Sequence, residues 1–198
     1  MKSVPAIDYP IHELLLKRYS PHSFSKRIVE KTALLSIFEA ARWAPSCFNE
    51  QPWSYIVIHK THTDQYAKIR ESMAEQNVTW ATTAPLLILT VAKVVFSENN
   101  KPNPYAWHDI GLATGAMLVQ SASMGIYIHQ MAAFSKEKIR IACDIPAGWD
   151  PVTLIAMGYL AENSELPEKF IELDRSPQIR KKLTEFVYED TWGHTIDV

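Results

Sequence analysis

Arg18-Tyr19-Ser20-Pro21-His22 sets a guanidinium, a hydroxyl and an imidazole within one short stretch at the end of an apolar run. A guanidinium is a planar fork suited to phosphate, and a hydroxyl adds a further donor. The structural alternative is a solvated helix end, where the dipole favours basic residues anyway. Other chemistries find less support. His59 and His62 flank the end of a strand pattern with no third ligand near them, and His108-Asp109 is not an H-E-x-x-H step, so no metal site is expected. No G-x-S-x-G elbow occurs, which leaves Cys47 a small loop residue rather than a nucleophile. With 6 glycines against 12 prolines, neither G-x-G-x-x-G nor G-x-x-x-x-G-K-[ST] is present, and glycine-rich phosphate cradles lose their sequence support.

The elements that must position these groups follow from periodicity and punctuation. Ile11 to Arg18 reads as a short helix that Pro21 ends, because a residue preceding proline is pushed out of the helical region. Lys31 to Trp43 is helical by the spacing of Leu34, Leu35, Phe38 and Ala41; Pro45 stops it and opens a polar loop to Pro52. Four strands are expected: Trp53 to Ile58, Leu86 to Val91 buried on both faces, Ile126 to Met131, and Val152 to Met157. Helices are expected over Thr63 to Met73, over the Tyr105 to Met124 region, from Ser135 to Ala142 with Ser135 as cap, and near Arg180 to Phe186. This alternation gives one α+β domain over residues 1–198. Beyond residue 160 the chain turns polar and loses periodicity, yet carries Phe170, Ile171, Leu173, Leu183, Phe186, Val187 and Trp192. Such a tail either wraps its own body or reaches another subunit, and a tail draped across a dimer is the favoured reading.

Composition narrows the setting. The 198 residues carry 20 basic and 22 acidic side chains, a formal charge of −2, which argues against a nucleic-acid partner. No apolar run reaches the length of about 18 residues that a membrane helix needs, so no membrane is expected. Two cysteines, Cys47 and Cys143, make no disulfide framework, and the start lacks an apolar signal core, so a reduced cytoplasm is the default.

Taken in order, Lys17 to Phe24, then Ala41 to Trp53 with Ala44-Pro45-Ser46-Cys47-Phe48-Asn49-Glu50-Gln51-Pro52-Trp53, resemble the nitroreductase family. Trp107 to Gly111, Gly125 to Phe134 and Pro151 to Tyr159 extend the resemblance over nearly the whole chain. It implies a central, mostly antiparallel sheet flanked by helices, with the C-terminal tail embracing a partner in a homodimer that holds FMN at the interface. Arg18, Tyr19 and Ser20 would grip the phosphate, ribityl chain or pyrimidine edge, and His22 stands where the family usually has Arg or Lys. Pro45, Ser46 and Cys47 would approach the flavin from the partner, with Asn49 and Gln51 organising that loop. Gln130, Met131, Ala132 and Ala133 would line the isoalloxazine, Ala133 replacing a common glycine. Arg180 matches a phosphate-binding basic position, while Gln178 replaces a second basic residue. Trp80, Tyr105, Trp107 and Phe134 are candidates for the substrate wall by position and size, with core packing as the alternative for each.

The chemistry implied is hydride transfer from NADH or NADPH to flavin N5, then to a nitro compound, a quinone or a related electron-poor acceptor, with no catalytic side chain required. Alternatives are a specialist of the same fold (dehalogenating, enone-reducing or flavin-fragmenting) and a non-catalytic flavin-binding module.

Overall fold

Alternation of apolar side chains along one central strand organises the molecule, of which a computed structural model describes residues 7–162 and 164–197. The strand β2 (Leu86–Lys93) is buried from Leu86 to Ala92. Because successive side chains point to opposite faces, Leu87, Leu89 and Val91 enter one core while Leu86 and Ile88 enter another. Its neighbours are β1 (Trp53–His59) and β4 (Trp149–Gly158), with β3 (Tyr127–Met131) at the outer edge of β4. The sheet order is β1-β2-β4-β3 and every pairing is antiparallel. All four strands stand where the sequence places them.

The register of β2 against β4 shifts between Thr90 and Val91, opposite Pro151. Proline brings no N–H to the ladder, so an irregularity there is expected. The Thr90 hydroxyl fills the gap, accepting from the Thr153 N–H at 2.9 Å.

Helices close both faces. α2 (Lys31–Arg42) and α5 (Ala106–Ser123) pack together, and Ile37, Ala113 and Met117 join Ile88 and Ile155. The other face is covered by α3 (Thr63–Ser72), α4 (Glu75–Ala81), α6 (Lys136–Ala142) and α7 (Glu168–Arg175), through Ile69, Trp80, Ile139 and Phe170. A fully buried side chain of this kind contributes about 1.5–3 kcal/mol. The Ser135 hydroxyl caps α6, accepting from the Lys138 N–H at 3.2 Å. α1 (Glu13–Lys17) ends at Arg18, whose backbone turns extended.

One helical expectation needs correction. The stretch expected near Arg180 to Phe186 forms only a single 3-10 turn, Leu183–Glu185. Instead the tail's helix is α7, a short and mostly polar helix that packs one residue, Phe170, into the core. Pro167 before it, Glu168 in its first turn and Arg175 in its last are the signals that mark it. α4 is a helix that none of the sequence expectations covers.

Candidate functional site

Where α1 gives way to extended chain, Arg18 meets the tail. Its guanidinium donates to the Gln178 Oε1 at 3.4 Å, and the Gln178 Nε2 donates back to the Arg18 carbonyl at 3.4 Å. Arg180 donates to the same Gln178 oxygen at 2.8 Å. Two guanidiniums thus converge on one neutral amide oxygen. Burial, and then the charge of Arg180, lower the pKa of Arg18. Among the described residues neither guanidinium has a carboxylate at ion-pair distance. Like charges held together without a counter-charge make a site that an anion stabilises, and paired forks suit a phosphate. Gln178 therefore works as a neutral bridge. Lys181 and Lys182 are exposed.

The next residues run beside the outer edge of β3. The Tyr19 ring meets that of Tyr127 edge-on at 5.1 Å, and burial pushes the Tyr19 phenol up to about 12. Ser20 is exposed, as a residue facing a ligand must be. His22 turns inward: its Nδ1–H donates to the Asp174 carboxylate at 2.7 Å, and its ring lies against Trp80, His129 and Phe170. Bonded to Asp174 and boxed by aromatic rings, His22 serves the interior of this corner rather than the guanidinium pair. Trp80, 3% exposed, stacks on His129 at 4.1 Å, so packing is its role in this chain and not a substrate wall.

At the end of β3, the Gln130 Oε1 accepts from the Thr153 hydroxyl at 3.2 Å, and the Met131 side chain is buried in the core. Ala132 and Ala133 are exposed. The Ala133 carbonyl is engaged by the Ala74 N–H at 3.0 Å, which fixes the backbone there. Phe134 is half-buried against the same core and bridges to Met73.

The loop from Pro45 to Gln51 is a separate, locally built unit. Phe48, Asn49 and Gln51 all have positive φ, at 52°, 55° and 49°. Non-glycine residues in that region cost about 1–2 kcal/mol each, so other contacts must hold the turn. The Gln51 N–H donates to the Ser46 hydroxyl at 2.9 Å, and the Gln51 amide to the Asn49 carbonyl at 3.2 Å. From outside the loop, the Cys47 N–H donates to the Asp109 carboxylate at 3.0 Å. Asp109 is 2% exposed in the first turn of α5 and also receives His108 at 3.2 Å. Sequence reasoning passed over Asp109; an acid in a helix first turn directly after Trp107-His108 was its only signal. Pro45 is exposed, and Phe48, 87% exposed, stands out at the loop's tip.

Tyr105 and Trp107 are exposed at the start of α5, and the Lys136 ammonium lies 4.7 Å above the Trp107 ring. A cavity of about 670 Å³ opens between Trp107, Trp149 and Arg140. Another, of about 480 Å³, is lined by Ile28, Val29, His59 and Lys60 and lies at the end of β1 remote from the loop. Neither contains Arg18 or Arg180, whose cluster is open to solvent on one side. No group of three metal-ligating side chains comes together among the described residues, and no helix among them is long and apolar enough to cross a membrane.

Known proteins resemble this chain over most of its length. The nitroreductase family profile matches residues 15–159, from α1 through β4. A crystal structure of an oxidoreductase containing FMN is 30% identical, with a TM-score of 0.89 over 98% of this chain and 100% of that one. A nitroreductase family protein from Clostridium difficile 630 is 27% identical, with a TM-score of 0.69 over 90% of this chain and 97% of its own. Iodotyrosine deiodinase 1 of Sus scrofa is 25% identical over 79% of this chain, and the matched part is 63% of the deiodinase.

Proposed function

The chain belongs to the nitroreductase family, and on that premise we propose that it is an FMN-dependent oxidoreductase passing reducing equivalents from NAD(P)H to nitroaromatic, quinone or related electron-poor acceptors. The observation that carries the reading is the pair of guanidiniums, Arg18 and Arg180, gathered on Gln178 without a counter-charge. An FMN phosphate fits that donor set, and the FMN-containing oxidoreductase aligns with this chain end to end.

FMN, when bound, would supply the hydride-transfer chemistry between a nicotinamide and an electron-poor acceptor. The chain's own residues bind and orient. Arg18 and Arg180 hold the phosphate, and the exposed Ser20 hydroxyl adds a donor beside them. Ala132 and Ala133, on backbone fixed through Ala74, present a flat surface of small side chains that admits an aromatic ring. The preset Pro45–Gln51 loop approaches the same flavin from a second copy of the chain. Apolar side chains left exposed support that dimer: Leu15 on α1, Leu112 on α5, Trp43, Phe48 and, in the tail, Ile179 and Trp192, the last 91% exposed.

The test is one purification. The protein is expected to be yellow, to sediment as a dimer, to bleach anaerobically with NADH or NADPH, and to recover its colour on adding a nitroaromatic or a quinone. A colourless preparation that takes up no FMN overturns the reading, and flavin that never bleaches makes the chain a binding module. Similarity to the deiodinase favours one second reading, a dehalogenating specialist. Halotyrosines turning over in place of nitro and quinone acceptors would establish it.

A further inference from the structure

Resting on the flavin reading above, we propose that Asp174 is a positioning residue whose clasp on His22 and Ser23 sets the spacing of the Arg18–Arg180 phosphate cradle. Both Asp174 oxygens lie 2.9 Å from the His22 N–H, one of them accepts from the His22 Nδ1–H at 2.7 Å, and the other from the Ser23 N–H at 3.2 Å. One half-buried carboxylate thus gathers three donors from a segment 152 and 151 residues away in the chain.

Register gives the clasp its consequence. Arg18 pairs with Gln178, and His22 pairs with Asp174, so the two segments run side by side in opposite directions. The two cross-links are four residues apart on both segments. Tyr19, Ser20 and Pro21 are held between them, as are Arg175, Ser176 and Pro177. The Arg18 end is weak, with hydrogen bonds of 3.4 Å to a neutral amide and two guanidiniums that repel each other. At the Asp174 end the bonds are short and charge-assisted, and the His22 ring is boxed by Trp80, His129 and Phe170. The strong end therefore fixes the weak one. Phe170 still anchors α7 without Asp174, but the stretch beyond it loses its tie to His22 and Ser23, and Arg180 shifts relative to Arg18. Asp174 itself points into the protein toward His22, so it orders the cradle without entering it.

Affinity for FMN and for riboflavin, which lacks the phosphate, separates this role from a general structural one. Both are titrated by fluorescence quenching into the flavin-stripped full-length chain and its Asp174→Ala variant. FMN is expected to bind about tenfold more weakly in the variant while riboflavin stays within about twofold, the pattern of misaligned charge-assisted hydrogen bonds to the phosphate alone. If Asp174→Ala does not fold, Asp174→Asn, which keeps an acceptor oxygen and loses the charge, carries the same comparison. Unchanged FMN affinity in the variant, or equal losses for both flavins, overturns the clasp and leaves the flavin reading standing. Failure of the unaltered chain to bind FMN overturns that reading and the clasp with it.

Discussion

The two corners proposed to meet one flavin are built in opposite ways. Around Arg18 the ligand-facing groups are side chains, and their arrangement depends on a tail that returns from 160 residues away. Around Cys47 the structure is mostly backbone in a strained local turn, pinned from outside by the buried Asp109 carboxylate and by Glu50, which accepts from the Ser97 N–H at 2.6 Å. A side-chain cradle is tuned to charge and, as proposed, would discriminate for the phosphate. A preset backbone turn is tuned to shape and serves any flavin, phosphorylated or not.

Removing a guanidinium is the sharpest way to break this contrast. On the proposed reading, Arg18→Ala deletes a charge-assisted contact to the phosphate, of the kind that contributes about 1.5–3 kcal/mol, or roughly tenfold to 150-fold in affinity. FMN retention is expected to fall by that factor, with riboflavin binding and thermal stability little changed. Parallel losses for the two flavins would show that the corner does not discriminate by charge.

The opposite pattern is expected from Asp109→Ala. It leaves the Cys47 N–H without its acceptor, at a cost of about 1–3 kcal/mol, and frees a loop that already carries three positive-φ residues. Stability falls, and FMN and riboflavin weaken together by a smaller factor than FMN loses in Arg18→Ala. Thermal melts and paired flavin titrations read both effects. Selective loss of FMN alone would mean that the loop senses the phosphate, and the contrast would fail.

The same difference decides how much was legible in the sequence. The loop could be read because its residues are contiguous: Pro45 and Pro52 bound it, and Gln51 bonds to Ser46 and Asn49 within it. The four strands were legible for the same reason, since alternation and apolar runs are local signals. What local pattern cannot show is a partner brought in by folding. Gln178 reads as a lost positive charge, yet it bridges two guanidiniums; Asp174 sits in a helix that its polar composition hid. Asp109 reads as a charged step on a helix because its partner, Cys47, lies 62 residues earlier. Arg180 was legible only through family resemblance. Trp80 shows the limit from the other side, since size and position suit a substrate wall equally well until His129 is found stacked on it.

The smallest effect expected concerns acid, and it too separates the corners. Burial lowers the pKa of His129 below the ordinary 6.5, outweighing the Pro21 carbonyl that its Nδ1–H reaches at 2.9 Å. Around it stand His22, which disfavours its charge, Asp174, which favours it, and the uncharged ring of Trp80. In the folded chain His129 stays neutral where the unfolded chain already takes up a proton. Its contribution to stability is therefore full above pH 6.5 and declines as pH falls from there through the lower folded value. His129→Asn keeps a donor for Pro21 but does not titrate. Melting curves between pH 7.5 and 5 should show the gap between the unaltered chain and this variant narrowing as pH falls. Asp109→Ala, which touches the other corner, should track the unaltered chain's pH slope at a lower melting temperature. A gap constant across that range would mean that His129 does not titrate differently on folding, and that the side-chain corner is no more acid-sensitive than the backbone one.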